Sequence, residues 1–327
     1  PHGQTLSGLT PHESLSRLIK EETTTLVQHY LGDRLSESGV SGGFMKFLAK
    51  SPSNSSNGRA TLALNDWIIK LNDDDHPQIV LLEYFGMMAA RAAGLSVPDV
   101  HLSQDRKHLL IKRFDVISKD RHLGFEDFCA LFGLPARDKF TGSVERIIKT
   151  IGVFCEGEKK TTSFDHFFGQ YLLASTIRNG DAHLKNFGLI YEDVKTAQLA
   201  PVFDMLSMSV FAPPLSNSRD ANDGMAINFQ GSKRWLTSDT ISSLSTQCLL
   251  SAKRVDEWKA QIAAALVETA EKVIEYLNTY PKDNFEPMAD RMLELWAIGL
   301  ETFDSKTAQC VTNMRSSLAA RGSAASP

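Results

Sequence analysis

Three side chains near the middle of the chain, Asp181, Asn186 and Asp204, have the types and spacing to move a phosphoryl group. They lie in Asn179-Gly180-Asp181-Ala182-His183-Leu184-Lys185-Asn186-Phe187-Gly188 and in Leu199-Ala200-Pro201-Val202-Phe203-Asp204-Met205-Leu206-Ser207. A positioned carboxylate can take the proton of an attacking hydroxyl. An amide oxygen and a second carboxylate are the hard donors that magnesium combines with water and phosphate oxygens. An Asp, an Asn five positions on, and a second Asp one hairpin later therefore suit transfer from ATP, with Asp181 as base and Asn186 and Asp204 as metal ligands. Between them, His183 is expected to orient the loop by hydrogen bonds and Lys185 to reach a phosphate.

Residues 164–178 have helical spacing, with Phe168, Tyr171, Leu172 and Ser175 facing inward. The helix should stop at Asn179-Gly180, where glycine can adopt a left-handed conformation. Asp181 then stands on a loop just past a packed helix. Residues 187–191 read as a strand, 192–197 as a polar turn and 198–203 as the returning strand. In such a hairpin Asn186 and Asp204, just outside the strand ends, become neighbours.

Upstream, 10–30 reads as a helix, and 36–43 is a glycine- and serine-rich segment followed by a loop at 51–58. Residues 60–64 and 67–71 form a candidate hairpin around Asn65-Asp66. Asp73-Asp74-Asp75 before His76-Pro77 marks a helix start, and Gly94 its end. Residues 100–102 and 108–114 are strand-like. Helical spacing then dominates at 125–132, 144–153, 255–277 and 284–303, and 212–234 is a candidate mobile loop. The expected fold is α+β: a small mixed N-terminal lobe over 1–115 and a mostly helical C-terminal lobe over 116–327. That is the layout of a two-lobed protein kinase, with nucleotide between the lobes.

Bulk properties narrow the function class. A net charge of −4 argues against a non-specific binder of nucleic acid or anionic membrane, so neither is expected as a direct partner. The most apolar stretch, 78–95, contains Glu83 and Arg91 and does not suit a membrane span. The four cysteines are widely spaced, fitting reduced thiols in a cytoplasm better than a disulfide framework. Residues 1–22 carry no apolar targeting segment; the chain starts at Pro1 rather than Met, which leaves room for a preceding segment.

The loop Asp181 to Phe187, as Asp-x-His-x-Lys-Asn-Phe, and Asp204 to Ser207, as Asp-x-x-Ser, resemble the HipA family of bacterial serine/threonine kinase toxins. Trp67-Ile68-Ile69-Lys70 is similar to that family's strand bearing the ATP lysine. Leu82-Glu83-Tyr84-Phe85 through Gly94-Leu95-Ser96-Val97-Pro98 is similar to the helix after it, and Lys112-Arg113-Phe114-Asp115 to the interlobe hinge. Phe125 to Cys129 with Phe132 to Pro135 is similar to the segment beyond the hinge, and Met225 to Phe229 to a later strand.

The resemblance implies ATP and magnesium as cofactors, Asp181 as base, Asn186 and Asp204 as metal ligands, and Lys70 as a phosphate-binding lysine paired with Glu83. It places adenine near Lys112 and Phe114, and phosphates near Gly42 and Lys46. Ser41 is the implied autophosphorylation site, an aminoacyl-tRNA synthetase the expected class of protein substrate, and an antitoxin a possible partner. Two positions depart from the pattern: Phe44 stands where glutamine is common in the glycine-rich loop, and Lys112 where an acidic hinge residue is familiar. The altered glycine loop supports one alternative, an ATP-binding pseudokinase acting as a scaffold for an antitoxin or DNA-bound partner. A small-molecule kinase is the third reading.

Overall fold

The structure, a computed structural model, describes residues 46–49, 67–72, 75–118 and 121–322. Gly42, Ser41, the expected helix over 10–30 and the expected strand over 60–64 lie outside the described residues, and for Lys46 only the backbone is described. The chain divides into two compact units, residues up to Tyr84 with Pro98–His122, and Phe85–Val97 with the chain from Leu123 on.

The first unit holds an antiparallel sheet of β1 (Lys46–Ala49), β2 (Trp67–Leu71), β3 (Val100–Leu102) and β4 (His108–Lys112), in the order β1-β2-β4-β3. Strand β4, His-Leu-Leu-Ile-Lys, buries its first four residues, as a central strand covered on both faces should. Strand β2 takes β1 as a partner, and Lys70 lies opposite Leu109 of β4. A hairpin of β5 (Val116–Ser118) and β6 (Arg121–His122) also belongs to this unit.

Helix α1 (Ile79–Ala92) begins in the first unit and ends in the second. The cap expected from the Asp73 to Asp75 run is supplied by Asn72, whose Oδ1 accepts from the Val80 amide at 3.1 Å. Gly94, at φ +85°, follows the helix in the left-handed conformation that glycine tolerates.

In the second unit β7 (Gly124–Asp127), β8 (Gly188–Tyr191) and β9 (Gln198–Leu199) form a three-stranded antiparallel sheet. The helix expected over 125–132 is therefore half strand. Phe125 pairs with Ile190, and only after Asp127 caps the Ala130 amide does the short helix α2 (Phe128–Leu131) begin. Strand β9 is shorter than the returning strand expected over 198–203, because Pro201 has no amide hydrogen to give a ladder. Residues 225–229 make isolated bridges rather than a strand.

Among the described residues the remaining α-helices are α3 (Val144–Phe154), α4 (Gly157–Thr176), α5 (Ser238–Gln247), α6 (Ala252–Thr279), α7 (Glu286–Leu300) and α8 (Ser305–Gly322). Helix α4 starts well before Phe164, since its first turns are polar and its apolar stripe appears only there. Phe167, Phe168, Tyr171, Phe187, Trp258 and Trp296 anchor the core. Among the described residues no helix is long and apolar enough to cross a membrane.

Candidate active site

The site begins where α4 ends. The Arg178 amide donates to the Ser175 carbonyl at 3.2 Å and the Asn179 amide to the Ala174 carbonyl at 2.8 Å, the paired bonds of a Schellman turn. The left-handed residue of that turn is Arg178, at φ 59°, and not the expected Gly180. Arginine is tolerated there because its side chain is held firmly: Nε and Nη2 reach both oxygens of Asp220 at 3.1 and 2.9 Å, and Nη1 donates to the Ser175 carbonyl at 3.0 Å. Gly180 has another reason to be glycine. A β-carbon there would lie 2.0 Å from Oδ2 of Asp223. Asp220 thus ties the segment expected to be a mobile loop to the end of α4, and Asp223 lies close against Gly180.

Asn186 and Asp204 are neighbours: Asn186 Nδ2 donates to Asp204 Oδ2 at 3.0 Å, while Asn186 Oδ1 accepts from the His183 amide at 3.1 Å. Asp204 is left-handed, at φ 53°. Its surroundings hold it there. The Asn179 side-chain amide donates to the Asp204 carbonyl at 3.2 Å, and the Val202 amide donates to the Ser96 carbonyl at 2.7 Å. Gly86 in α1 lies so close that an added β-carbon would meet the Met205 carbonyl oxygen at 2.1 Å. Just beyond, Trp296 Nε1 of α7 donates to the buried Ser207 hydroxyl at 2.7 Å.

The donor chemistry fits a hard divalent cation. One carboxylate and one amide oxygen, which retains a second lone pair beside the His183 amide, would hold it, with phosphate and water oxygens completing the shell. Among the described residues no group of three or more His, Cys, Asp or Glu could hold a metal alone.

Asp181 is partly exposed, with 30% of its side chain accessible, and its carboxylate lies 3.8 Å from His183 Nε2. His183 is buried against the edge of Phe140. Burial first, and the Lys139 ammonium next, lower its pKa to about 4, so its ring is neutral near pH 7. Its ring packs against Phe140. Lys185, expected at a phosphate, is ion-paired with Asp127, with both side chains largely buried. That pair joins the loop after α4 to the end of β7.

In the first unit, Lys70 Nζ donates to Glu83 at 2.6 Å, and both residues are buried. Lys112 points its ammonium into solvent, 3.6 Å from Asp99, and Phe114 is half-buried.

Sequence reasoning passed over Asn179, Arg178, Asp220 and Asp127. Asn179 stood inside the quoted loop and carried a signal, an amide side chain two positions before the base. Asp127 and Asp220 carried none, since their partners lie 58 and 42 residues away.

A small antiparallel sheet with a buried Lys–Glu pair, and a helical unit whose catalytic-type loop leads through a hairpin to a second aspartate, define a protein-kinase-like fold. The family described as HipA-like C-terminal domain matches residues 38–274, and the chain belongs to it. Two proteins named "Putative kinase" are similar. Y4dM of Sinorhizobium fredii (strain NBRC 101917 / NGR234) is 29% identical over 58% of this chain and 47% of its own length. The other, from Haemophilus influenzae (strain ATCC 51907 / DSM 11121 / KW20 / Rd), is 25% identical over 47% of this chain and 48% of its own. This chain spans about half the length of these curated relatives.

Among solved structures, HipA of Shewanella oneidensis MR-1 in complex with HipB and operator DNA matches with a TM-score of 0.60 and 17% identity, over 96% of this chain and 76% of that one. At that identity the likeness is one of fold. The expectation from net charge that nucleic acid is not a direct partner finds no support in a neighbour solved with DNA.

Proposed function

We propose that this chain is an ATP-dependent serine/threonine protein kinase of the HipA toxin type. It would act in the cytoplasm and limit growth by phosphorylating a translation component such as an aminoacyl-tRNA synthetase. The observation that carries the reading is the 3.0 Å contact between Asn186 and Asp204, on the segment following the loop that holds a partly exposed Asp181. Asp181 takes the proton of the substrate hydroxyl as the hydroxyl attacks. Asn186 and Asp204 hold magnesium, which when bound offsets charge on the phosphates. Lys70, oriented by Glu83, contacts phosphate oxygens as a point charge. Gly42, Lys46, Lys112 and Phe114 remain proposed nucleotide contacts and Ser41 a proposed autophosphorylation site. An antitoxin partner is proposed from the HipB-bound neighbour.

The test compares wild type with Asp181→Asn, using labelled ATP on purified protein and the phosphoproteome of expressing cells. Loss of the proton acceptor should cut transfer by about 10³-fold and remove toxicity. Equal transfer by the two forms would overturn the reading, as would label found only on small molecules. Mass spectrometry of the 36–46 peptide after incubation with ATP checks Ser41.

A further inference from the structure

Asn179 has both ends of its side chain engaged, on the two segments that carry the proposed chemistry. It is 2% exposed. Its Nδ2 donates to the backbone carbonyl of Asp204 at 3.2 Å, and its Oδ1 accepts from the backbone amide of Asp181 at 3.3 Å. Flipping the amide would set oxygen against the carbonyl oxygen and nitrogen against the N–H, so only one orientation satisfies both partners. The residue itself cannot drift, because its own amide closes the Schellman turn on Ala174 at 2.8 Å. A packed helix end thus holds a rigid two-pronged clamp.

What the clamp grips is a residue in an unfavourable conformation. A left-handed backbone crowds the β-carbon of any L residue, and Asp204 persists at φ 53° because its neighbours impose it. Asn186 fixes the carboxylate of Asp204 and Asn179 fixes its carbonyl, so rotation is restrained on both sides of its α-carbon. We propose that Asn179 is a positioning residue which, from the catalytic loop, sets the direction in which Asp204 presents its carboxylate to the metal. Changing Asn179 then weakens metal binding specifically, over and above any effect on folding. The inference rests on the reading of Asn186 and Asp204 as magnesium ligands.

The full chain is tested as wild type, Asn179→Ala and Asn179→Asp, with Asp204→Asn as a control. Mn²⁺ binding is measured directly by electron paramagnetic resonance in the presence of a non-hydrolysable ATP analogue, and the Mg²⁺ dependence of phosphotransfer is recorded in parallel. Circular dichroism melts establish the folded fraction. Losing one buried hydrogen bond of ordinary worth should weaken Mn²⁺ about tenfold in Asn179→Ala, with analogue affinity in the absence of metal unchanged.

Asn179→Asp is the sharper variant. It keeps the acceptor for Asp181 and the side-chain shape but removes the donor to Asp204. An extra negative charge near the site would by Coulomb attraction tighten cation binding, whereas loss of the clamp weakens it. Weaker Mn²⁺ in Asn179→Asp supports the proposal, and decides alone should Asn179→Ala fail to fold. Affinity within twofold of wild type, tighter binding in Asn179→Asp, or a lowered melting temperature with unchanged affinity overturns it. If wild type with the analogue binds no Mn²⁺, the metal-ligand reading itself fails and takes this inference with it. Normal wild-type binding with unaffected variants sinks this inference alone.

Discussion

Replacing Arg178 with glycine sets two effects against each other, and the structure decides the sign. Arg178 occupies the left-handed position of the turn that ends α4, at φ 59°. A left-handed L residue costs about 1–2 kcal/mol, and glycine would relieve it. Glycine also makes the unfolded chain more flexible, which returns roughly 0.5–1 kcal/mol, so the net gain lies between about 0 and 1.5 kcal/mol and centres a little below 1.

Against this stands an arginine whose side chain is only 5% exposed, its guanidinium bonded to both Asp220 oxygens and to the Ser175 carbonyl, with its centre 5.0 Å from the Trp235 ring centroid. Breaking a buried pair by removing one partner costs about 3–5 kcal/mol. Asp220 keeps 18% side-chain exposure, which favours the lower end, about 3 kcal/mol. Arg178→Gly should therefore destabilise by about 2 kcal/mol, despite being the residue the turn would choose on backbone grounds. Urea unfolding followed by tryptophan fluorescence and circular dichroism would show a lower midpoint. Asp220→Ala, which leaves the buried cation in place and relieves no strain, should be at least as costly. A midpoint for Arg178→Gly at or above wild type would mean that backbone strain outweighs the ion pair, and the argument would be wrong.

Gly180→Ala should be destabilising because its β-carbon would lie 2.0 Å from Asp223 Oδ2, and pairing it with Asp223→Ala should recover part of the loss; a double variant no better than the single would point to the backbone instead. Asp165 concerns acid stability. Burial alone would raise its pKa, but hydrogen bonds from Arg254 and Trp258 outweigh burial and hold it below the ordinary carboxylate value. A depressed folded-state pKa adds stability that is fully present above the unfolded value, near 3.9, and fades as pH falls through the folded one. Asp165→Asn should thus be less stable than wild type at pH 7, with the two melting temperatures converging toward pH 3. Parallel curves would contradict this.

Local patterns were legible wherever chemistry and periodicity agreed. The hairpin from Phe187 brought Asn186 beside Asp204, and Lys70 and Glu83 met across the turn between a strand and the next helix. Errors arose where a distant partner overrode a local rule. Glycine at 180 looked like a helix stop, yet a carboxylate from Asp223 explains it while Arg178 does the turning. Phe125 had helical neighbours, but its pairing with Ile190 made it strand. Helix α5, Ser-Asp-Thr-Ile-Ser-Ser-Leu-Ser-Thr-Gln, has too few apolar residues to announce itself, and forms because Thr237 caps it and Ile241 and Leu244 find the core.

The loop motif therefore records two kinds of constraint that a sequence cannot separate. Asp181 keeps part of its carboxylate in solvent, which suits its proposed role as base. His183, Asn186 and Ser207 are buried, and each is held by packing or by a named hydrogen bond: His183 by Phe140 and Asn186, Ser207 by Trp296 of α7. Lys185 looks from its spacing like a phosphate ligand, and the contact its ammonium makes in the structure is with Asp127. Spacing alone would rank Lys185 with the chemistry and Asn179 with the scaffold. The contacts give Asn179 a closer tie to the proposed chemistry than its spacing suggests, because it touches the backbone of both aspartates whose side chains the reaction would use.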